Sequence, residues 1–424
     1  MIRHSGLLPA AFCLLLLVLA VPKLDAARDS STALPYSKTT AHYVVQSDIG
    51  DEAAKRIADE MEAMYAYYLK VFEGVRGGVR SRFNVVVFKG QADYVKFVGQ
   101  RYAGTCGLYS TGRATLASYL YTHLLEDIFP TLYHEGFHQF FSAYVASSAP
   151  PWINEGLAEL FGHAIHLGRK FRLGEVPPMQ LKFLQDALKD GKQIPIEDLM
   201  ISMSAQDWNS ILSTKDDKRA LIQYTEAWLL CHYLVFGGKE RYRLALNTYI
   251  NLIRDGAGNR MAFLRAFAGR KGADNALADL DRDFREYVLA MKPGPILDQE
   301  FNLKLLGNVI LFYKKSAPDA LADANAFYAA VMQKRLKGWK LEFHDGSRLT
   351  SDDLDWLKRC FAVKKGTGAH DERERPGITL VPPASPDGPP DVLCAVENVQ
   401  LRLKWYKDPA GGKMECDVLR ELRE

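Results

Sequence analysis

Residues 133–141 read YHEGFHQFF, with two histidines four positions apart and a glutamate beside the first. A step of four returns to the same side of a helix, so His134 and His138 share one face about a turn apart. Both imidazoles then reach one ion at the distance of about 2.0–2.1 Å that zinc requires. The run is therefore expected to be a helix of roughly 128–145, with Asp127 as a plausible cap and Pro130 in the first turn. Glu135 is turned by about 100° from His134, which leaves its carboxylate free to hold a water as general base. Gly136 is expected to keep bulk off the helix near that site, although glycine weakens a helix by about 1 kcal/mol. By itself the motif also fits an ordinary helix that carries two histidines. A catalytic zinc takes three protein ligands and an open position, so the chain must bring a third donor to this face.

The next segment, PWINEGLAELFGHAIH, is expected to form a second helix over about 151–167. Glu155 falls in its first turn, seventeen positions after His138, which is enough chain to turn back alongside the first helix. Glu159 lies one turn later on the same face, and a swap that makes Glu159 the ligand stays open. His163 and His166 follow as an alternative ligand group. Asn154 reads as a cap or a residue supporting a ligand, and Trp152 as core.

HEGFH followed by WINEGLAELF resembles the gluzincin zinc metallopeptidases, especially the aminopeptidase N family. It is more similar still to uncharacterised exported gluzincin-like proteins with H-E-G-x-H-Q and W-x-x-E-G-L-A-E patterns. The resemblance implies that His134, His138 and Glu155 are zinc ligands and that Glu135 is the base and then the proton shuttle. Glu159 matches the acid that gluzincins carry four residues after the ligand glutamate, where it would accept the free N–H of a ligating histidine. YTEAWLLCHYL (224–234) matches the aminopeptidase stretch whose tyrosine donates to the oxyanion, which gives that part to Tyr224. His232 is the alternative, by likeness to thermolysin-like enzymes, and Cys231 reads as packing. The spacer between the two motifs is two residues shorter than in aminopeptidase N.

One departure matters. Aminopeptidase N places an acid on the edge strand before its zinc helix to grip the substrate's free amine. The corresponding stretch, AGTCGLYSTGRATLASYL (103–120), contains no acid. An endopeptidase is therefore expected rather than an aminopeptidase, with RATLASYL as the edge strand that pairs with an extended substrate.

The rest of the chain sets the context. Arg3 and His4 precede an apolar run over 7–20, and small residues follow at Ala20, Ala26 and Ala27. Residues 1–26 are therefore expected to be a signal peptide, and the mature protein to be exported with no stable membrane span. Loss of Cys13 leaves five of the six cysteines, and three of these, Cys360, Cys394 and Cys416, cluster where an oxidising compartment permits a bridge. A net charge of +3 gives no reason to propose a nucleic-acid partner.

Alternating and β-branched runs at 42–47 and 82–88, with a weaker one at 112–120, predict strands around a helix at 51–72. Helices are expected near 178–189, 219–235, 239–255, 260–269, 275–291 and 351–360, and a helical stretch over 302–337. Residues 27–123 form the α/β half and 124–294 the helical half of the catalytic unit. Residues 295–424 form an accessory α/β module with a Pro/Gly-rich linker at 364–391 and a terminal hairpin.

The expected fold is thus α+β, a zincin-like domain with a small mixed sheet and a helical half, followed by that module. The expected function is a zinc metallopeptidase acting on a peptide or protein substrate. The alternatives are a non-catalytic zincin-like binding or surface protein that retains its metal, and a zinc hydrolase of non-peptide cell-wall amides.

Overall fold

The computed structural model describes residues 34–423 apart from 80, 146–148, 169, 214–216, 238–239, 269–271, 334–339, 343–347, 351–352, 366–373, 384–387 and 408–413. The expected signal peptide lies outside the described residues. The chain is α+β and divides into two units, one of 34–174 and 179–292, the other of 175–178 and 293–423.

The first unit opens with strands β1 (Tyr36–Thr39) and β2 (Tyr43–Ser47), helix α1 (Asp51–Val71) and strand β3 (Phe83–Phe88). Asp51 and Glu52 in the first turn of α1 and Lys70 in its last complement the helix dipole. Helix α2 (Gln91–Val98) leads to the short strand β4 (Gly107–Ser110), which turns back into β5 (Thr115–Tyr119). The sheet order is β1-β2-β3-β5-β4. Strands β2, β3 and β5 are parallel, while β1 and β4 are antiparallel to their neighbours. Parallel strands covered on both faces read as continuous apolar runs, which is why FNVVVF is legible as a central strand.

RATLASYL is not the edge. Strand β5 pairs on one side with β3 and on the other with β4, so the free edge belongs to GLYS. Four residues with one glycine and no β-branched side chain carry too weak a pattern to announce a strand.

Helix α3 (Phe129–Tyr144) and helix α4 (Pro151–Gly162) follow. No side chain caps α3, and Asp127 instead accepts from the Thr122 hydroxyl. Gly136 does not clear space at the histidines. A Cβ there would lie 2.5 Å from Met61 Cε and 3.1 Å from Tyr68 Oη, so the glycine lets α1 approach α3. Tyr68, Phe137, Phe140 and Phe161 pack between α1, α3 and α4, with ring centroids 4.7 Å apart for Tyr68–Phe161 and 5.1 Å for Phe137–Phe161. Each is almost fully buried, a burial that stabilises the fold by about 2–3 kcal/mol per ring.

Helix α4 ends at Gly162, not at 167. Residues beyond it form a hairpin of β6 (Ile165–Leu167) and β7 (Lys170–Arg172), whose turn uses Gly168 at φ 67°. Helices α5 (Pro178–Lys189), α6 (Ala205–Ser213), α7 (Asp217–Phe236), α8 (Glu240–Arg254), α9 (Asn259–Phe263) and α10 (Ala273–Ala290) complete this unit. Residues 264–268 form a wider π-type turn after α9, which the expected helix of 260–269 did not anticipate. Among the described residues no helix is long and apolar enough to cross a membrane.

The second unit holds α11 (Pro295–Ser316), α12 (Ala324–Met332), two three-residue strands β8 (Lys340–Glu342) and β9 (Arg348–Thr350), and α13 (Leu354–Cys360). The helical stretch expected over 302–337 starts earlier and breaks before Pro318, which cannot continue a helix. After the short pair β10 (Lys364–Lys365) and β11 (Glu374–Arg375) come β12 (Ile378–Val381), β13 (Asp391–Val396), β14 (Val399–Lys407) and β15 (Met414–Leu422), a four-stranded antiparallel sheet. Strand β12 lies inside the stretch expected to be linker. Ile378 is buried and pairs with Cys394, because ITLV carries β-branched residues within an otherwise Pro- and Gly-rich segment. The terminal hairpin pairs Val399 with Leu422 through Lys407 with Met414, and its turn lies outside the described residues. Cys360 and Cys416 are free thiols, so the three clustered cysteines form no bridge with one another.

Candidate metal centre

Helices α3 and α4 lie side by side, and α4 lies against α7. Gly162 allows the first approach, since its Cβ would meet His134 Cβ at 3.3 Å. Gly156 allows the second, since a Cβ there would lie 2.3 Å from the Ala227 carbonyl oxygen and 2.7 Å from Cys231 Sγ. Trp152 is fully buried and its indole N–H donates to Tyr249 Oη at 3.3 Å.

His134, His138 and Glu155 converge at this junction, all of them buried. The two Nε2 atoms are 3.1 Å apart, and Glu155 Oε2 is 3.7 Å from the first and 3.6 Å from the second. A tetrahedral ion with bonds of 2.0–2.1 Å separates its ligand atoms by about 3.3 Å. The three observed separations bracket that edge.

The outer nitrogens fix how the imidazoles present themselves. His138 Nδ1–H donates to Asn154 Oδ1 at 3.2 Å. That tautomer leaves the Nε2 lone pair facing inward. His134 Nδ1 is buried without a hydrogen-bond partner and faces Glu159 Oε1 at 3.6 Å, just beyond bonding length. Two imidazole nitrogens and a carboxylate oxygen thus converge on one spot, a group that could hold a metal ion.

The electrostatics agree. Burial lowers the proton affinity of His134, helped by neighbouring His138 and His163. Burial would do the same to His138, but the Glu155 carboxylate, with Glu135 and Asn154, lifts its pKa to about 9. Burial first, then Glu155, raises Glu159 to about 8. His138 and Glu159 are thus shifted toward their protonated forms, and His134 toward its neutral one.

Glu135 points away from the ligand face toward the sheet edge. Its Oε2 accepts the Tyr109 backbone N–H at 2.8 Å. Burial raises its pKa, with the Glu155 charge a smaller cause, while His138 and the Tyr109 N–H oppose the rise. Gly107 on the same strand would place a Cβ 3.1 Å from Glu135 Cγ, so the glycine lets β4 lie this close. The part taken by β4 was not legible in the sequence. The expected edge, RATLASYL, is the inner neighbour of β4, and the strand beside Glu135 is GLYS.

Tyr224 on α7 is buried, edge-on to Trp208 with centroids 5.2 Å apart. Burial, then the charges of Glu155, Glu159 and Glu135, hold its phenol well above the usual range. It therefore stays protonated within electrostatic reach of the whole cluster. His232 is not its rival. Its Nε2 bonds the Gly174 carbonyl at 3.1 Å and its Nδ1 the Tyr287 hydroxyl at 3.0 Å. His163 and His166 form no ligand group. His163 follows the end of α4, stacks on Trp228 at 4.1 Å and bonds the Glu159 carbonyl, while His166 on β6 bonds Glu60 Oε1 at 2.7 Å.

Residues 128–251 are similar to a family described as Protein of unknown function (DUF1570). The matched stretch runs from the turn before α3 into α8, and so contains both histidines, Glu135, Asn154, Glu155, Glu159 and Tyr224. Comparison with the curated proteins finds no match.

Proposed function

We propose that this protein is an exported zinc-dependent hydrolase that cleaves peptide bonds within a polypeptide. The observation that carries the reading is the convergence of His134 Nε2, His138 Nε2 and Glu155 Oε2 at tetrahedral-edge spacing, with Asn154 and Glu159 behind the imidazoles. Those three side chains would hold the ion, and bound there zinc supplies Lewis acidity to water and to a carbonyl oxygen.

The chain's own groups supply the remainder. Glu135 takes the proton of the attacking water and delivers it to the leaving nitrogen, and its raised pKa suits a carboxyl that must do both. A site kept only for structure has no use for such a base. Tyr224, held neutral, donates a hydrogen bond to the oxygen that gains charge in the transition state. The acid-free edge argues for an endopeptidase, since nothing there grips a substrate's free amine.

Metal analysis of the purified protein, with a casein and peptide-library assay on wild type and Glu135→Gln, tests the reading. The expected result is about one zinc per chain, turnover in wild type, and a loss of roughly 100-fold or more in the variant with zinc retained. Glu155→Ala should lose the metal. Absence of zinc both from the native protein and after reconstitution overturns the proposal. Bound zinc with no turnover of any peptide moves the reading to a metal-stabilised binding protein. Export is tested by sequencing the N-terminus of the mature protein, where a start near residue 27 is expected.

A further inference from the structure

The edge strand has two faces, and the proposed chemistry uses one. Gly107 and Tyr109 face α3 and Glu135. Leu108 and Ser110 alternate with them and face the opposite side, where α2 covers the sheet. On that side the structure holds a small open depression. Phe97, Val98, Leu108 and Ala117 form its apolar floor, and Ser110 and Thr115 a polar wall.

Arg113, in the turn between β4 and β5, closes the rim. Its guanidinium stacks over the Phe97 ring at 4.6 Å and donates once, to the Phe97 carbonyl at 2.5 Å. Among the described residues it has no carboxylate partner. Arg101, stacked over the lining Tyr102 at 4.4 Å and donating to its hydroxyl, is a second cation with no ion pair among the described residues. From 94 to 124 the chain contains Lys96, Arg101 and Arg113 and no aspartate or glutamate. The planar guanidinium is therefore positioned with donors to spare, and its remaining N–H groups suit a carboxylate.

The Tyr109 N–H reaches Glu135, so on β4 the backbone of Tyr109 faces the free edge while Leu108 and Ser110 pair inward with Ala117 and Thr115. A chain added at that edge places alternate side chains on the two faces, each within about 5 Å of its cross-strand neighbour. Side chains opposite Leu108 or Ser110 then enter the depression.

We propose that this far-face depression is a substrate subsite for an acidic side chain, held by Arg113 on an extended polypeptide that adds to β4. The proposal rests on the peptidase reading for its substrate, but its test separates the two. Fluorescein-labelled extended peptides, alike except for a single Glu or Lys scanned along the sequence, are titrated against the full chain by fluorescence anisotropy, with a chelator present to stop turnover. The same peptides are then followed for cleavage by mass spectrometry with zinc present.

At one register the Glu peptide should bind about fivefold more tightly than the Lys peptide, a preference that weakens as salt rises. Arg113→Gln should abolish the preference and Arg113→Glu should invert it. Arg113 is exposed, so both variants should melt as wild type does. Charge-dependent binding without cleavage of any peptide keeps the subsite and overturns the peptidase reading. Cleavage or binding with no charge preference at any register, a preference that survives in Arg113→Glu, or failure of every peptide to bind overturns the subsite.

Discussion

Substituting Gly156 by alanine tests whether helix spacing builds the centre. The added Cβ would sit 2.3 Å from the Ala227 carbonyl oxygen, 2.7 Å from Cys231 Sγ and 2.8 Å from the Ala227 carbonyl carbon. Ordinary contact begins near 3.4 Å. The obstacle is the backbone of α7, which cannot swing aside, so α4 and α7 must part by roughly 1 Å. Overpacking of this kind costs about 1–3 kcal/mol, and the alanine recovers about 1 kcal/mol of helix propensity. The expected net loss is about 0–2 kcal/mol by urea denaturation.

The functional loss should be larger. Glu155 precedes Gly156 on the same helix, so the shift carries the third ligand away from the histidines, and a displacement near 1 Å costs on the order of 100-fold at a site that depends on geometry. Zinc affinity measured against a chromophoric chelator should therefore fall while the fold survives. Gly136→Ala is the control. There the close atom is the Met61 methyl at 2.5 Å, the movable end of a flexible side chain, so the cost and the propensity gain should nearly cancel. If Gly156→Ala matches wild type in both stability and zinc affinity, or if Gly136→Ala is the worse of the two, the argument from helix spacing fails.

Two further outcomes follow from the buried polar groups. Asn154→Ala removes the acceptor of His138 Nδ1–H and should weaken zinc binding by about 10- to 100-fold at unchanged pH, whereas a change under threefold would mean that the tautomer is set by something else. Glu226 is buried on α7, accepts the Ile194 backbone N–H at 2.8 Å, and has its pKa raised to about 8, chiefly by burial. A raised acid stabilises the fold below its unfolded pKa near 4.5, and that contribution is lost as pH rises through about 8. Glu226→Gln should therefore raise Tm at pH 9 more than at pH 5. Equal shifts at both pH values would show that Glu226 does not titrate in this window.

The sequence alone determined the helix of His134 and His138, because a spacing of four has one geometric meaning on a helix and the flanking aromatic residues leave no other face to bury. Seventeen residues are enough chain to lay the next helix alongside and bring Glu155 within reach, and the resemblance to gluzincins singles it out as the third donor. The apolar strand FNVVVF and the helices near 178–189, 219–235, 239–255 and 275–291 were legible for the same reason, a sustained period, whereas the short helix Ala205–Ser213 was not. What the sequence did not determine depended on neighbours. A four-residue strand such as GLYS has no period to read, so the sequence pattern favours RATLASYL as the edge, while the structure pairs that strand on both sides. The end of α4 at Gly162 turned on close packing against α3, and His163 and His166 left the helix with it. Whether Glu155 or Glu159 faces the histidine nitrogens was equally undecided, because both share one helical face. Only the packing of α4 against α3 and α7 put Glu155 Oε2 within 3.7 Å of both Nε2 atoms and left Glu159 behind His134. Local spacing sets which side chains share a face; the close approach of three helices sets which of them meet.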